Sequence, residues 1–250
     1  MAYYNPLVDE EAGYYRSGSK RSLDPSYEFA DSIVRQGFIR KVFGLLALQL
    51  AITAGTTAAF LFSAPVKGFV ASNPWTLWTA MGLSFVLVLL LSFWDAARRQ
   101  HPLNLVFLFA FTACESVLVG AASATYDTHV VLLAVGITAG VVTALALFAL
   151  QTKLDLTAAG GALLALLATL IIASIVQSFV HVSWLQLLIS AGGALLFSVY
   201  LVFDIQLLMG SGAVSISPDE YVYAALALYL DVINLFLYVL QLLNEVSRND

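Results

Sequence analysis

Three acidic residues stand inside long apolar stretches of this chain: Glu115, Asp204 and Asp231. An ionisable group at the centre of a membrane segment costs about 2.5–3.5 kcal/mol on the insertion scale, so each needs a reason to be there. Asp231 heads a series, Asp231, Asn234, Tyr238, Gln241 and Glu245, whose 3-4-3-4 spacing puts all five on one face of a helix. Such a seam must point into a bundle or line a water-filled path, because lipid would leave its polar groups unpaired. For Asn234 and Tyr238, a hydrogen-bonded seam that only holds helices together explains the pattern equally well. Asp231 asks for more, since a neutral Asn could hold helices at lower cost. On the preceding apolar segment, Asp204 follows Tyr200 by one turn, and Gly192-Gly193-Ala194 lets another helix approach closely.

If Asp204 and Asp231 meet, their chemistry is specific. Two carboxylates in contact cannot both ionise cheaply, so they share a proton and titrate as a unit. Protonated, the pair holds its helices together. Ionised, it repels and attracts a cation, and carboxylate oxygens suit Ca²⁺. That describes a pH-gated cation path with Asp204 and Asp231 as transient Ca²⁺ ligands and Glu115 as a third acid. The depths are the obstacle. Asp204 lies about five residues from its helix end and Asp231 about twelve from its own, a difference of roughly 10 Å in ideal straight helices. Pairing therefore requires the first of these helices to extend beyond Met209, to tilt, or to break.

The elements that must position these groups are membrane helices. Of 250 residues, 60% are hydrophobic and 11% charged, against about 25% charged in a typical soluble domain. No Asp, Glu, Lys or Arg occurs between Leu156 and Phe203. A spanning helix needs about 20 apolar residues, and seven candidates are present: Ile39–Ser63, Pro74–Trp94, from Pro102 to Ala124, Val130–Leu150, Ala158–Val180, Trp184–Met209 and Pro218–Leu243. Ser217 can cap the last, with Asp219 and Glu220 suited to its first turn. The joins are short, which predicts that consecutive helices are antiparallel neighbours. The expected architecture is an all-α polytopic membrane protein, with residues 1–30 a flexible, tyrosine-rich cytosolic tail and 31–250 the membrane domain. The tail has no apolar stretch of signal-peptide type, so insertion falls to the first spanning helix.

Nine of the eleven basic residues, among them Arg35, Arg40, Lys41, Arg98, Arg99 and Lys153, fall on the tail side of these spans. The positive-inside bias therefore predicts a cytosolic N-terminus. Seven full crossings put the C-terminus on the other side, and a re-entrant last segment would return it. No basic face could track a phosphate backbone, so nucleic acid is not an expected partner. The single cysteine, Cys114, excludes an intramolecular disulfide and reads as a small buried hydrophobe.

Several stretches together resemble the Bax-inhibitor-motif membrane proteins. The longest is Glu220-Tyr221-Val222 with Ala225 to Leu237 around Asp231. Others are Gly193 to Phe197, Phe203 to Met209, Phe38 to Phe43, Pro102-Leu103-Asn104 with Phe111 to Ser116, and Gln151 to Asp155. The resemblance covers nearly everything after residue 30 and is greatest to the lifeguard branch with its Golgi anti-apoptotic proteins. It implies a six- or seven-helix fold with a central last helix, Golgi or endoplasmic reticulum residence, Ca²⁺ leak from those stores and suppression of cell death. It also implies partners among apoptosis-regulating or Ca²⁺-channel membrane proteins, and no cofactor beyond Ca²⁺ as permeant ion. By the resemblance, Asp204 and Asp231 form a pH-sensing pair latched by a basic residue at the end of the second helix, for which Arg98 and Arg99 are the candidates. Phe203 departs from the pattern. Many members have Tyr there, so a hydroxyl beside the pair would be missing.

Two other classes compete. Intramembrane aspartyl proteases also place one Asp on each of two consecutive helices, but Asp231 follows Leu230 with no flanking glycine, and no Pro-Ala-Leu motif occurs near the C-terminus. The expectation is a non-enzyme. A membrane adaptor without transport, acting through the tyrosine-rich tail, is the third reading.

Overall fold

A computed structural model describes residues 25–210 and 212–249, with side chains over 33–210 and 212–247. Among the described residues nine α-helices follow in order: α1 Pro25–Phe62, α2 Ala64–Ser72, α3 Trp75–Phe93, α4 Asp95–Arg99, α5 Leu103–Ser123, α6 Thr128–Gln151, α7 Gly160–Val180, α8 Ser183–Met209 and α9 Tyr221–Asn249. Short 3₁₀ turns, Thr157–Ala159 and Pro218–Glu220, precede α7 and α9. Seven of these segments are long and apolar enough to cross a membrane, as the hydropathy predicts.

The first helix begins at Pro25, well before the apolar run starts at Ile39. Hydropathy marks where the lipid begins, not where the helix does, and the polar turns of α1 project beyond the apolar zone. Most of the predicted tail, residues 1–24, lies outside the described residues. Pro65 closes the first span as expected, yet it opens α2 from its first turn, where a missing N–H costs nothing. Ser217 does not cap a backbone amide. Its hydroxyl donates to the Asp219 carboxylate instead, and the regular helix starts four residues later, at Tyr221.

Helix α9 is the axis of the bundle. It packs against α8, α1, α6 and α5, and 56% of its most apolar window is buried, against 6% for the peripheral α7. Lipid tails are as apolar as leucine, so packing and interhelical hydrogen bonds must hold such a bundle together. The α1–α5–α9 seam supplies several. Gln49 Nε2 donates to Thr112 Oγ1 at 2.9 Å, the Thr53 and Tyr229 hydroxyls lie 2.8 Å apart, and Asn104 Nδ2 donates to Tyr221 Oη at 2.9 Å.

Chain neighbours are not always spatial neighbours. α5 commits its faces to α1 and α3, while α6 leaves α5 and packs on α8 and α9. The expectation of antiparallel consecutive pairs therefore fails for α5–α6 and α6–α7. Short connections limit reach, but the choice of partner is made by surface fit.

The loops sort into two ends. Arg35, Lys41, Arg98, Arg99, Asp155 and residues 206–210 and 212–223 are linked at one, the basic end. Gln177, Gln186 and Gln241 gather at the far end. Helix α9 runs from one to the other without a break, over about 43 Å at 1.5 Å per residue. It is long enough to cross a membrane, and its described C-terminal residues lie at the end of the bundle opposite Arg35.

Candidate pH-sensing and ion-path site

The register between α8 and α9 is fixed by contacts along their length. Gln186 Nε2 donates to Gln241 Oε1 at 3.1 Å, the Tyr238 ring lies on Gly193 and stacks on Phe197, and the Asp204 and Asp231 carboxyls come within interaction range of each other. α8 ends at Met209 as predicted, so no extension is needed. The 10 Å obstacle came from assuming level helix ends. In the observed register α9 begins about one turn beyond the end of α8, which removes roughly half of it. The remainder closes because side chains tilt toward the N-terminus of their own helix. In an antiparallel pair, Asp204 and Asp231 therefore lean toward each other. Asp231 is 5% exposed, and its Oδ2 has no hydrogen-bond partner among the described residues. Asp204 is half-buried.

Of the rest of the seam, Tyr238 and Gln241 face α8. Tyr238 and Phe197 have ring centroids 5.8 Å apart at 21°. A β-carbon at Gly193 would fall 2.6 Å from the Tyr238 ring, so only glycine permits this approach. Asn234 donates to the Leu230 carbonyl one turn back, at 2.8 Å. Glu245, at the far end, approaches Tyr126, whose phenol is pushed above its ordinary value by burial and then by the Glu245 charge. Phe203 turns its ring edge to Tyr200 and its Cζ toward Gly160 at the start of α7. A tyrosine hydroxyl on that Cζ would point at α7, so its absence takes nothing from the carboxyl pair.

At the basic end, Arg98 and Arg99 pair with other acids. Arg98 reaches Asp95 at 2.7 Å and Glu220 at 3.1 Å, and Arg99 reaches Glu220 at 2.8 Å and Asp219 at 3.5 Å. Their ion pairs fasten the start of α9, and Tyr223 lies within reach of both Arg98 and Asp204. Glu115 is also apart from the pair. It accepts a 2.6 Å hydrogen bond from Ser84 on α3 and faces the side of Tyr229. Tyr229 and Asp231 are two residues apart and so point to opposite sides of α9. Cys114, beside Glu115, is half-buried.

Three residues that carried no role in the sequence close this end. Gln206, 2% exposed, donates to the Leu154 carbonyl at 2.7 Å and accepts from the Leu156 amide at 2.9 Å. Asp155 accepts from the Thr157 hydroxyl at 2.5 Å and from the Thr157 and Ala213 amides at 2.9 Å. Those bonds, the hydroxyl first, hold its carboxyl below the ordinary carboxylate range. Arg35 ties α1 to the loop between α8 and α9 through the Met209 and Ile216 carbonyls. A neutral amide, a loop carboxylate and a cation before the apolar run give no hydropathy signal. Their pairing is set by loops that meet only in the fold.

Ca²⁺ takes six to eight oxygens. Two carboxyls supply at most four, and among the described residues no cluster of three His, Cys, Asp or Glu is placed to hold a metal ion. The pair fits a passing cation better than a resident one.

Comparison with known proteins agrees with the fold and the motifs. The family model described as "Inhibitor of apoptosis-promoting Bax1" matches residues 35–248. The chain is 36% identical to human protein lifeguard 3 over 240 residues, covering 93% of this chain and 77% of the relative. It is 35% identical to mouse protein lifeguard 4, covering 97% and 100%, and 37% identical to the Golgi anti-apoptotic protein of vaccinia virus (strain Lister), covering 91% and 95%. With seven apolar spans around a central last helix and a family match over nearly its whole membrane domain, this chain belongs to the Bax-inhibitor family of anti-apoptotic membrane proteins and is similar to its lifeguard members.

Proposed function

We propose that the protein is a pH-sensitive Ca²⁺ leak channel of Golgi or endoplasmic reticulum membranes, gated by the Asp204–Asp231 pair, with its N-terminus in the cytosol. The observation that carries this reading is the approach of two carboxyls across α8 and α9, inside a bundle whose core is otherwise largely apolar. Sharing a proton, the carboxyls hold the two helices together. When the proton leaves, two like charges in a low-dielectric interface repel, and a divalent cation is the counter-charge that satisfies both. Arg98 and Arg99 act at one remove, latching the start of α9 through Glu220 and Asp219. A steady leak lowers the Ca²⁺ content of the store, which limits the Ca²⁺ signal available to promote cell death. The relative named as a Golgi anti-apoptotic protein and the family's description as an inhibitor of apoptosis-promoting Bax1 support that last step.

The test is Ca²⁺ efflux from proteoliposomes against pH. Wild-type flux rises as pH is raised through the range in which the pair loses its proton, while Asp204→Asn and Asp231→Asn each flatten the response. Absence of flux at every pH, or an unchanged response in both variants, overturns the reading. Cleavage of a transmembrane peptide, abolished by either substitution, would favour an aspartyl protease instead.

A further inference from the structure

At the far end, α7, α8 and α9 enclose a cavity of about 340 Å³. Gln177, Ser178, His181, Gln186, Tyr238 and Gln241 are among its lining residues. Ser178 and His181 are exposed where α7 ends, so the cavity opens outward at this end of the bundle. Inside, Gln241 Oε1 accepts from Gln186 Nε2 at 3.1 Å, and the Ser190 hydroxyl, which donates to the Gln186 carbonyl at 2.9 Å, lies 3.4 Å from it. Gln177 donates to the Val182 carbonyl at 3.1 Å, but its buried Oε1 has no partner among the described residues. A buried amide oxygen at membrane depth needs a donor, and water is the donor available through the opening.

The cavity stops at an aromatic layer. Tyr238 lines its floor, lies flat on the Gly193 backbone and stacks on Phe197. Phe197 in turn packs on Tyr200 at 5.9 Å, one turn before Asp204. Asn234 and Asp231 follow on the far side of this layer, one and two turns along the seam from Tyr238. The α8–α9 interface therefore runs in sequence from a polar cavity to an aromatic contact to the carboxyl pair.

We propose that this cavity is a water-filled vestibule that receives a hydrated divalent cation from the far side, and that Tyr238, seated on Gly193 and stacked on Phe197, is the seal between it and Asp204–Asp231. The cation part rests on the channel reading above; the vestibule and the seal do not. The cavity oxygens named are neutral amides and hydroxyls. They replace part of a hydration shell without the charge that would trap the ion, which suits entry and release rather than storage. Gly193 keeps α8 close enough for one ring to close the interface.

Thiol accessibility tests this on the full chain in vesicles, in a Cys114→Ala background, with a membrane-impermeant cationic methanethiosulfonate applied from the far side. Ser178→Cys and Gln241→Cys are expected to react, and Asn234→Cys to stay at background. Adding Tyr238→Ala raises the rate at Asn234→Cys to that at Gln241→Cys, and Tyr238→Phe, which keeps the ring, does not. If Tyr238→Ala does not fold, Phe197→Ala opens the same contact from α8. Unreactive Ser178→Cys and Gln241→Cys would overturn the vestibule. Equal reaction at Asn234→Cys with the ring intact, or none with it removed, would overturn the seal. Ca²⁺ efflux in the same vesicles separates the two readings. Flux released by Tyr238→Ala under conditions that close the wild type supports the cation route. The expected labelling without flux in any variant leaves vestibule and seal standing and removes the channel.

Discussion

The guanidinium of Arg35 donates a 2.8 Å hydrogen bond to the carbonyl of Ile216, 181 residues away in the chain. A second bond reaches the Met209 carbonyl at 3.3 Å, at the C-terminus of α8, where unpaired carbonyls and the helix dipole both favour a cation. Gly210 makes room for it. Its φ of 65° ends the helix in the left-handed region, and a methyl group there would overlap the guanidinium. Arg35→Ala is expected to destabilise the protein by about 2 kcal/mol through the lost charge-assisted bonds. The readouts are a lower thermal midpoint and faster amide exchange over residues 212–217. Gly210→Ala loosens the same loop by displacing Arg35, so the two effects combine less than additively. Full additivity would show that Arg35 and Gly210 act separately.

The Asp155 clasp predicts an acid-side loosening of the same end. Its folded-state pKa lies below the ordinary value because the Thr157 hydroxyl and two amides stabilise the charged form. A depressed carboxylate stabilises the fold above its unfolded pKa of about 3.9. That contribution is lost as pH falls through the lower folded value. The Ala213 and Thr157 amides are therefore expected to stay protected from pH 5 to 8 and to lose protection below about pH 4. Asp155→Asn turns an NH₂ toward one of the amide donors, so it is looser at neutral pH and insensitive to acid. Exchange rates at these amides, normalised to their intrinsic rates, are the measurement.

What the sequence reveals, and what it conceals, follows from one distinction. Burying charge in lipid is costly, so Asp204, Asp231 and the seam through Tyr238 announce themselves by type and spacing. The end of α8 at Met209 is equally legible, because Gly210 follows the last apolar turn. Hydropathy reports which residues lie in lipid but not which helix each one faces. That is why α6 leaves α5 for α9, and why Arg98 and Arg99 turn out to hold Glu220. Gln206 and Asp155 carry no burial penalty that a sequence reader could notice. Their function appears only when the loop after α6 meets the end of α8. The depth problem had the same origin: helix lengths can be counted along a chain, but the offset between two helices cannot.

Glu115 separates a general cost of buried charge from the proposed gate. It bonds Ser84 at the α3–α5 contact and faces the Tyr229 side of α9, away from Asp204. Glu115→Gln keeps an oxygen for the Ser84 hydroxyl, so stability should change by less than about 1 kcal/mol. The pH response of Ca²⁺ flux should keep its midpoint, in contrast to Asp231→Asn. A pH response flattened by Glu115→Gln as it is by Asp204→Asn would place Glu115 in the gating unit.

The Thr53–Tyr229 contact gives a directional prediction. The Thr53 hydroxyl donates to the Gln49 carbonyl at 3.0 Å, so its one proton is already used. The Tyr229 hydroxyl, 2.8 Å away, must then be the donor of the bond between them. Both residues are buried, Tyr229 completely. Tyr229→Phe removes the donor and leaves an oxygen whose own proton is still bonded, at a cost of about 1 kcal/mol. Thr53→Val leaves a phenol proton buried without an acceptor, which costs more, about 1–3 kcal/mol. The double variant removes both groups and is expected to recover part of the Thr53→Val loss. A double-mutant cycle on thermal or denaturant unfolding reads the order directly. If Tyr229→Phe were the more damaging single change, the proton would run the other way, and Thr53 would be spending its hydrogen on α9 rather than on its own helix.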